Sequence, residues 1–76
     1  VTSSDYMRSK ALKTVRAGHV VWLPADDRRP ARFGVGTTTE SSEITSVLLR
    51  VALCELRQEQ EITVDETTGA VQVVQP

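Results

Sequence analysis

The sequence predicts an α+β fold in the order αββαββ, an N-terminal helix followed by a hairpin, a long helix and a second hairpin. Three observations carry this. Met7, Ala11 and Val15 recur every fourth position, which is helical spacing. Two pairs of short β-branched or alternating runs are each split by turn residues. Between the pairs lies a strongly apolar stretch, from Ile44 to Leu56, whose period is again helical. On this reading a four-stranded sheet packs on the long helix.

The elements follow in order. Ser3, Ser4 and Asp5 offer N-caps for a helix over about Tyr6 to Ala17, with Gly18 as its stop. Lys10, Lys13 and Arg16 make its basic side. His19 to Leu23 is a β-branched and aromatic run ended by Pro24. Ala25 to Pro30 is a turn, and Ala31 to Val35 returns as the second strand. Thr37 and Glu40 fit a capping box that opens the long helix, which should run to about Arg57–Gln60. Glu40 and Glu43 suit its positive end. At 100° per residue its apolar positions leave one clear polar stripe, Glu43, Ser46, Arg50 and Arg57. Such a helix needs cover on two sides, from the sheet and from the first helix or a partner. Glu61 to Asp65 and Ala70 to Val74 form the last hairpin, with Gly69 available for a positive φ.

Composition bounds the function. The chain has 76 residues, enough for a single small interaction domain with a thin core. It starts at Val1, which reads as a domain excised from a longer protein. With 39% apolar and 25% charged residues it has a globular balance, without a stretch apolar enough to span a membrane. A single cysteine, Cys54, allows no internal disulfide and points to a reducing, cytoplasmic setting. The net charge of −1 hides a dipole. Residues 1–36 carry seven basic and three acidic side chains, and residues 37–76 carry two basic and seven acidic ones. Such asymmetry is a clue to an electrostatic partner.

The segment Val20-Val21-Trp22-Leu23-Pro24, the charged turn, Arg32-Phe33-Gly34-Val35 and Thr37 together resemble the front half of ubiquitin-like (β-grasp) modules of the Ras-binding and FERM type. The resemblance covers residues 19–56. It implies a helix lying across a mixed sheet, and a role for Arg28, Arg29 and Arg32 against an acidic strand edge of a small GTPase. The chain departs from the pattern in its leading helix and in having one hairpin after the long helix. The alternative fold is another two-layer αββαββ sandwich.

Catalytic chemistry finds little support. One histidine and one cysteine cannot supply the about four ligands of a structural zinc site, so no metal site and no cofactor are expected. Cys54, in an apolar run, reads as a small buried hydrophobe, and His19 as a partly exposed structural residue. Gly34-Val35-Gly36-Thr37-Thr38-Thr39 lacks the lysine and the glycine spacing of a nucleotide loop, so ordinary helix capping is expected there. Glu55, Glu59, Glu61, Asp65 and Glu66 match no calcium register and read as solvated surface.

Two surfaces remain. The basic set Lys10, Lys13, Arg16, Arg28, Arg29 and Arg32 suits carboxylates or phosphates. The apolar helix offers Val47, Val51, Leu53 and Leu56 as an interface. The leading reading is a non-catalytic protein-interaction module that takes an acidic protein partner on its basic hairpin. The alternatives are a nucleic-acid-binding accessory domain and a homo-oligomeric assembly domain. An acidic balance and core-like aromatics place nucleic acid below protein.

Overall fold

Local chemistry sets the first element. In the computed structural model, which describes residues 4–74, the Ser4 hydroxyl accepts from the Met7 N–H at 3.3 Å and caps helix α1 (Asp5–Arg16). The other serine offered as a cap, Ser3, lies outside the described residues. The helix closes with Gly18 at φ 79°. The Gly18 N–H bonds the Val15 carbonyl and the His19 N–H bonds the Thr14 carbonyl, so the last turn is satisfied by a left-handed cap.

The strands are β1 (Val20–Leu23), β2 (Arg32–Gly36), β3 (Ser41–Glu43), β4 (Ile62–Asp65) and β5 (Ala70–Val73), with helix α2 (Val47–Gln58) between β3 and β4. They form one sheet in the order β3-β2-β1-β5-β4, and every pairing is antiparallel. The α+β class is thus as expected, but the sheet has five strands rather than four. It is also antiparallel throughout, where the ubiquitin-like resemblance implied a mixed sheet.

The fifth strand comes from the segment expected to open the long helix. Thr37 and Glu40 do interact, but as the ends of a turn. The Thr37 N–H donates to the Glu40 carbonyl at 2.9 Å, and the Glu40 N–H donates to the Thr37 hydroxyl at 3.1 Å. Gly36 permits the turn with φ 122°, a value other residues rarely adopt. Ser41–Glu43 then runs back along Gly34–Gly36 as an edge strand. α2 starts nine residues later than expected, at Val47, where the Ser46 hydroxyl rather than that of Thr37 is the cap and accepts from the Leu49 N–H. Neither a helix cap nor an anion-binding N-terminus therefore exists at Thr37.

Both helices lie on one face of the sheet. The register puts Val20, Trp22, Phe33, Val35, Val64 and Val71 on that face. They meet Ala11 and Val15 from α1 and Ala52, Leu53 and Leu56 from α2, with Ile44 and Ile62 closing the core. Leu53 and Leu56 are fully buried. On the other face Leu23 lies over Gly34, where an added Cβ would come within 2.7 Å of the leucine Cδ1.

Arg8 ties the two helices together. Its guanidinium donates to both Glu59 carboxylate oxygens, at 2.6 and 2.7 Å, and to Glu61 at 3.0 Å, with Glu55 at 3.6 Å. The hydrogen bond to Glu59 is the main cause of a raised Arg8 pKa, and the same bond lowers the pKa of Glu59.

Candidate interaction surfaces

The basic residues do not form one patch. Lys13 and Arg16 stand in the last turn of α1, beside the start of β1. Arg28 and Arg29 follow the far end of β1, about 10 Å away along the strand. Lys10, Lys13, Arg16 and Arg28 are exposed, and none has a carboxylate within 4 Å among the described residues.

Arg29 and Arg32 are tied to the edge of the sheet, Arg29 exposed and Arg32 half-buried. Both pair with Glu43 on β3, with Arg32 Nε at 2.9 Å from its carboxylate. Arg32 also donates to the Pro30 carbonyl at 3.2 Å and so pins the β1–β2 loop. Asp26 feels the charges of Arg32 and Arg29 but makes its hydrogen bonds to the backbone. Its Oδ1 accepts the backbone N–H groups of Arg28 and Arg29, each at 2.8 Å, and those bonds hold its carboxyl below the usual aspartate pKa. The pairing with Glu43 is not legible in the sequence, whose pattern puts Glu43 on a helix rather than on the strand beside β2.

The second surface is the outward side of α2. The expected interface of Val47, Val51, Leu53 and Leu56 splits in two. Leu53 and Leu56 belong to the domain's own core and are unavailable to a partner. Val47 is 59% exposed and Leu48 52% exposed, while Val51 is half-buried. Cys54, expected to be buried, is also exposed on this side. At 3.6 residues per turn Val47, Val51, Cys54 and Gln58 fall within an arc of about 60°, opposite Ala52, Leu53 and Leu56. Their neighbours Arg50 and Arg57 line one flank of this seam, and Leu48 and Glu55 line the other.

Beside the seam runs an open groove of about 800 Å³ between α2 and β1–β2, whose lining includes Trp22 and Phe33. The two rings meet edge to face, with centroids 5.0 Å apart and planes at 81°. Arg57 lies over the Trp22 ring at 4.5 Å from its centroid, a cation–π contact, and reaches Glu66 at 3.8 Å. Arg50, on the same flank, has no carboxylate within 4 Å among the described residues.

Among the described residues no cluster of three or more histidine, cysteine or acidic side chains could hold a metal ion. His19 sits in the turn before β1, where its backbone bonds Thr14 and Gly36. No helix among the described residues is long and apolar enough to cross a membrane. Compared with protein-family models, with curated proteins and with solved structures, the chain matches none.

Proposed function

We propose that this domain is a non-catalytic protein-interaction module, and that its docking surface is the outward seam of α2 together with the adjoining groove. The observation that carries the reading is the exposure of Val47, Leu48 and Cys54 on a helix whose opposite side is already fully packed. Water satisfies exposed lysines, but it gives no return on a contiguous apolar strip, and such strips on small domains mark contact sites. The arginines on the groove side favour an acidic partner, as the charge dipole of the sequence also suggests. The hairpin arginines support the GTPase-facing role less well, since Glu43 occupies two of the three.

The test uses Trp22, the chain's single tryptophan, as a reporter in the groove. Peptides selected on the domain from a random library are titrated while tryptophan emission is followed. The expected result is saturable binding that shifts the emission, is lost in Val51→Asp and survives Lys10→Glu with Lys13→Glu. Selected peptides that bind Val51→Asp as well as wild type overturn the assignment.

A further inference from the structure

The sheet is paired least at its centre. β1 and β5 are neighbours in it, yet they pair at one position, Val21 with Ala70. On one side of that pair the Trp22 N–H bonds the Gly69 carbonyl at 2.9 Å. On the other side β5 runs on through Val71, Gln72 and Val73, with no further pairing to β1 among the described residues. The cause lies in β1, which the chain enters at Val20 almost directly from the α1 cap at Gly18. β5 therefore outlasts its neighbour. The Val74 N–H bonds the Glu61 carbonyl on the β4 side. By alternation the N–H and C=O of Val73 point to the other side, where β1 has no residue left to offer.

An open cleft of about 580 Å³ lies at this point, within the roughly 300–1,000 Å³ of ligand sites. Val15, Val20 and Val73 give it an apolar wall, and Arg16, Thr37 and Thr38 a polar one. The flank at Gly18 is open too, since a Cβ there meets nothing within 4 Å. Arg16 is the one charged residue of the lining among the described residues, and it is exposed with no carboxylate within 4 Å. These features select an occupant. A chain that pairs with the open edge of β5 lies in line with β1 and cannot continue past Val20, which fills that line. It must end there. Its end comes beside a guanidinium, which favours a terminal carboxylate and repels a terminal amine. A chain that enters with its carboxyl end foremost runs antiparallel to β5, as β1 itself does.

We propose that the cleft between β1 and β5 binds the carboxy-terminal end of an extended peptide. The peptide main chain pairs with β5 at Val73, its terminal carboxylate meets Arg16, and its last side chain, an apolar one, lies against Val15 and Val20. This combines strand addition with capture of a chain terminus. The slot is short, so the complex is weak and reversible. The site is separate from the α2 seam and does not depend on it.

The test is an NMR titration of the isotope-labelled full chain. The probes are pools of short random peptides whose last residue is Val, Leu or Phe, offered both as free acids and as carboxy-terminal amides. The free acids are expected to move the amide signals of Gly18, Thr38 and Val73 and to slow hydrogen exchange at the Val73 N–H. The amides should bind about tenfold more weakly or worse, through loss of one charge-assisted contact. Arg16→Gln, whose spectrum also reports that the fold is intact, should bind acids and amides alike at the weaker level. Val51→Asp should bind the acids as the wild type does. Equal binding of acids and amides, unmoved signals at Val73, or an Arg16→Gln chain that still prefers acids would each overturn the proposal. So would isovalerate alone if it matches the peptides, because the site would then take a small carboxylate and no strand. Peptides that move only α2 signals and are lost in Val51→Asp occupy the seam, which removes the cleft as a site and leaves the interaction module standing.

Discussion

The two helices have the same length, the same serine cap and one buried face each, yet they present opposite surfaces to solvent. α1 turns Lys10 and Lys13 outward, and these cations are content in water. α2 turns Val47, Leu48 and Cys54 outward. The difference separates a helix that completes the fold from one that the fold leaves incomplete. A charged outer face says little about a partner, because hydration satisfies it. An apolar outer face opposite a finished core is harder to explain without one.

The comparison breaks most visibly if the outer face of α2 turns out to hold the domain together. Leu53 is fully enclosed, so Leu53→Ala should cost about 2–5 kcal/mol through lost burial and the cavity left behind. Val51→Asp, across the helix, should cost less than about 1 kcal/mol in the isolated domain. Urea denaturation of dilute protein measures both. Similar losses at the two positions would mean that the seam is part of the core.

A smaller effect separates the two helix ends. Both helices close with the same left-handed cap. In α1 the key residue is Gly18 at φ 79°, and in α2 it is Gln60 at φ 63°, whose N–H bonds the Arg57 carbonyl while the Glu61 N–H bonds that of Leu56. A side chain in this conformation costs roughly 1 kcal/mol. Gly18→Ala should therefore destabilise by about 1 kcal/mol, with no steric part, since a Cβ there meets nothing within 4 Å. Gln60→Gly should stabilise by up to about 1 kcal/mol. Thermal unfolding of the two variants gives opposite shifts if the motifs are equivalent, and a loss in Gln60→Gly would show that its side chain is needed.

These elements were unequally legible in the sequence. The period of Met7, Ala11 and Val15, the β1 run and the final hairpin carry hydrophobic patterns that local reasoning reads directly. Strand β3 carries none, because Ser41, Ser42 and Glu43 are all exposed and pair at an edge through backbone alone. The Thr37–Glu40 spacing satisfies both a helix cap and a tight turn, and the long-range pairing with Gly34–Gly36 decides between them. The Glu43 clamp on Arg29 and Arg32 follows from the same long-range pairing and is equally silent in the sequence. The α2 surface was legible as an excess of apolar residues. Which of them face inward was not, because that depends on where the helix starts and which side the sheet takes.

The smallest expected effect concerns how α1 is held to α2. Arg8 stays protonated throughout the accessible pH range, so the pH dependence of this contact lies with the carboxylates. Glu59 has its pKa lowered chiefly by the Arg8 hydrogen bond. A carboxylate with a lower pKa when folded than when unfolded adds stability that is fully present above the unfolded value. That stability is lost as pH falls through the folded one. Asp26 and Asp65 shift the same way, mainly through backbone N–H donors in their turns, those of Thr67 and Thr68 for Asp65. The melting temperature should therefore stay level from neutral pH to about 5 and fall below about 4. Glu59→Gln should lower stability at neutral pH and flatten the acid limb. Salt tells the two kinds of contact apart, because screening weakens an exposed ion pair more than a hydrogen bond to backbone amides. In about 1 M salt the difference between Glu59→Gln and wild type should shrink, while the acid limb due to Asp26 and Asp65 persists. An acid limb in Glu59→Gln as steep as that of the wild type would show that the Arg8–Glu59 bond adds no measurable stability to the packing of α1 on α2.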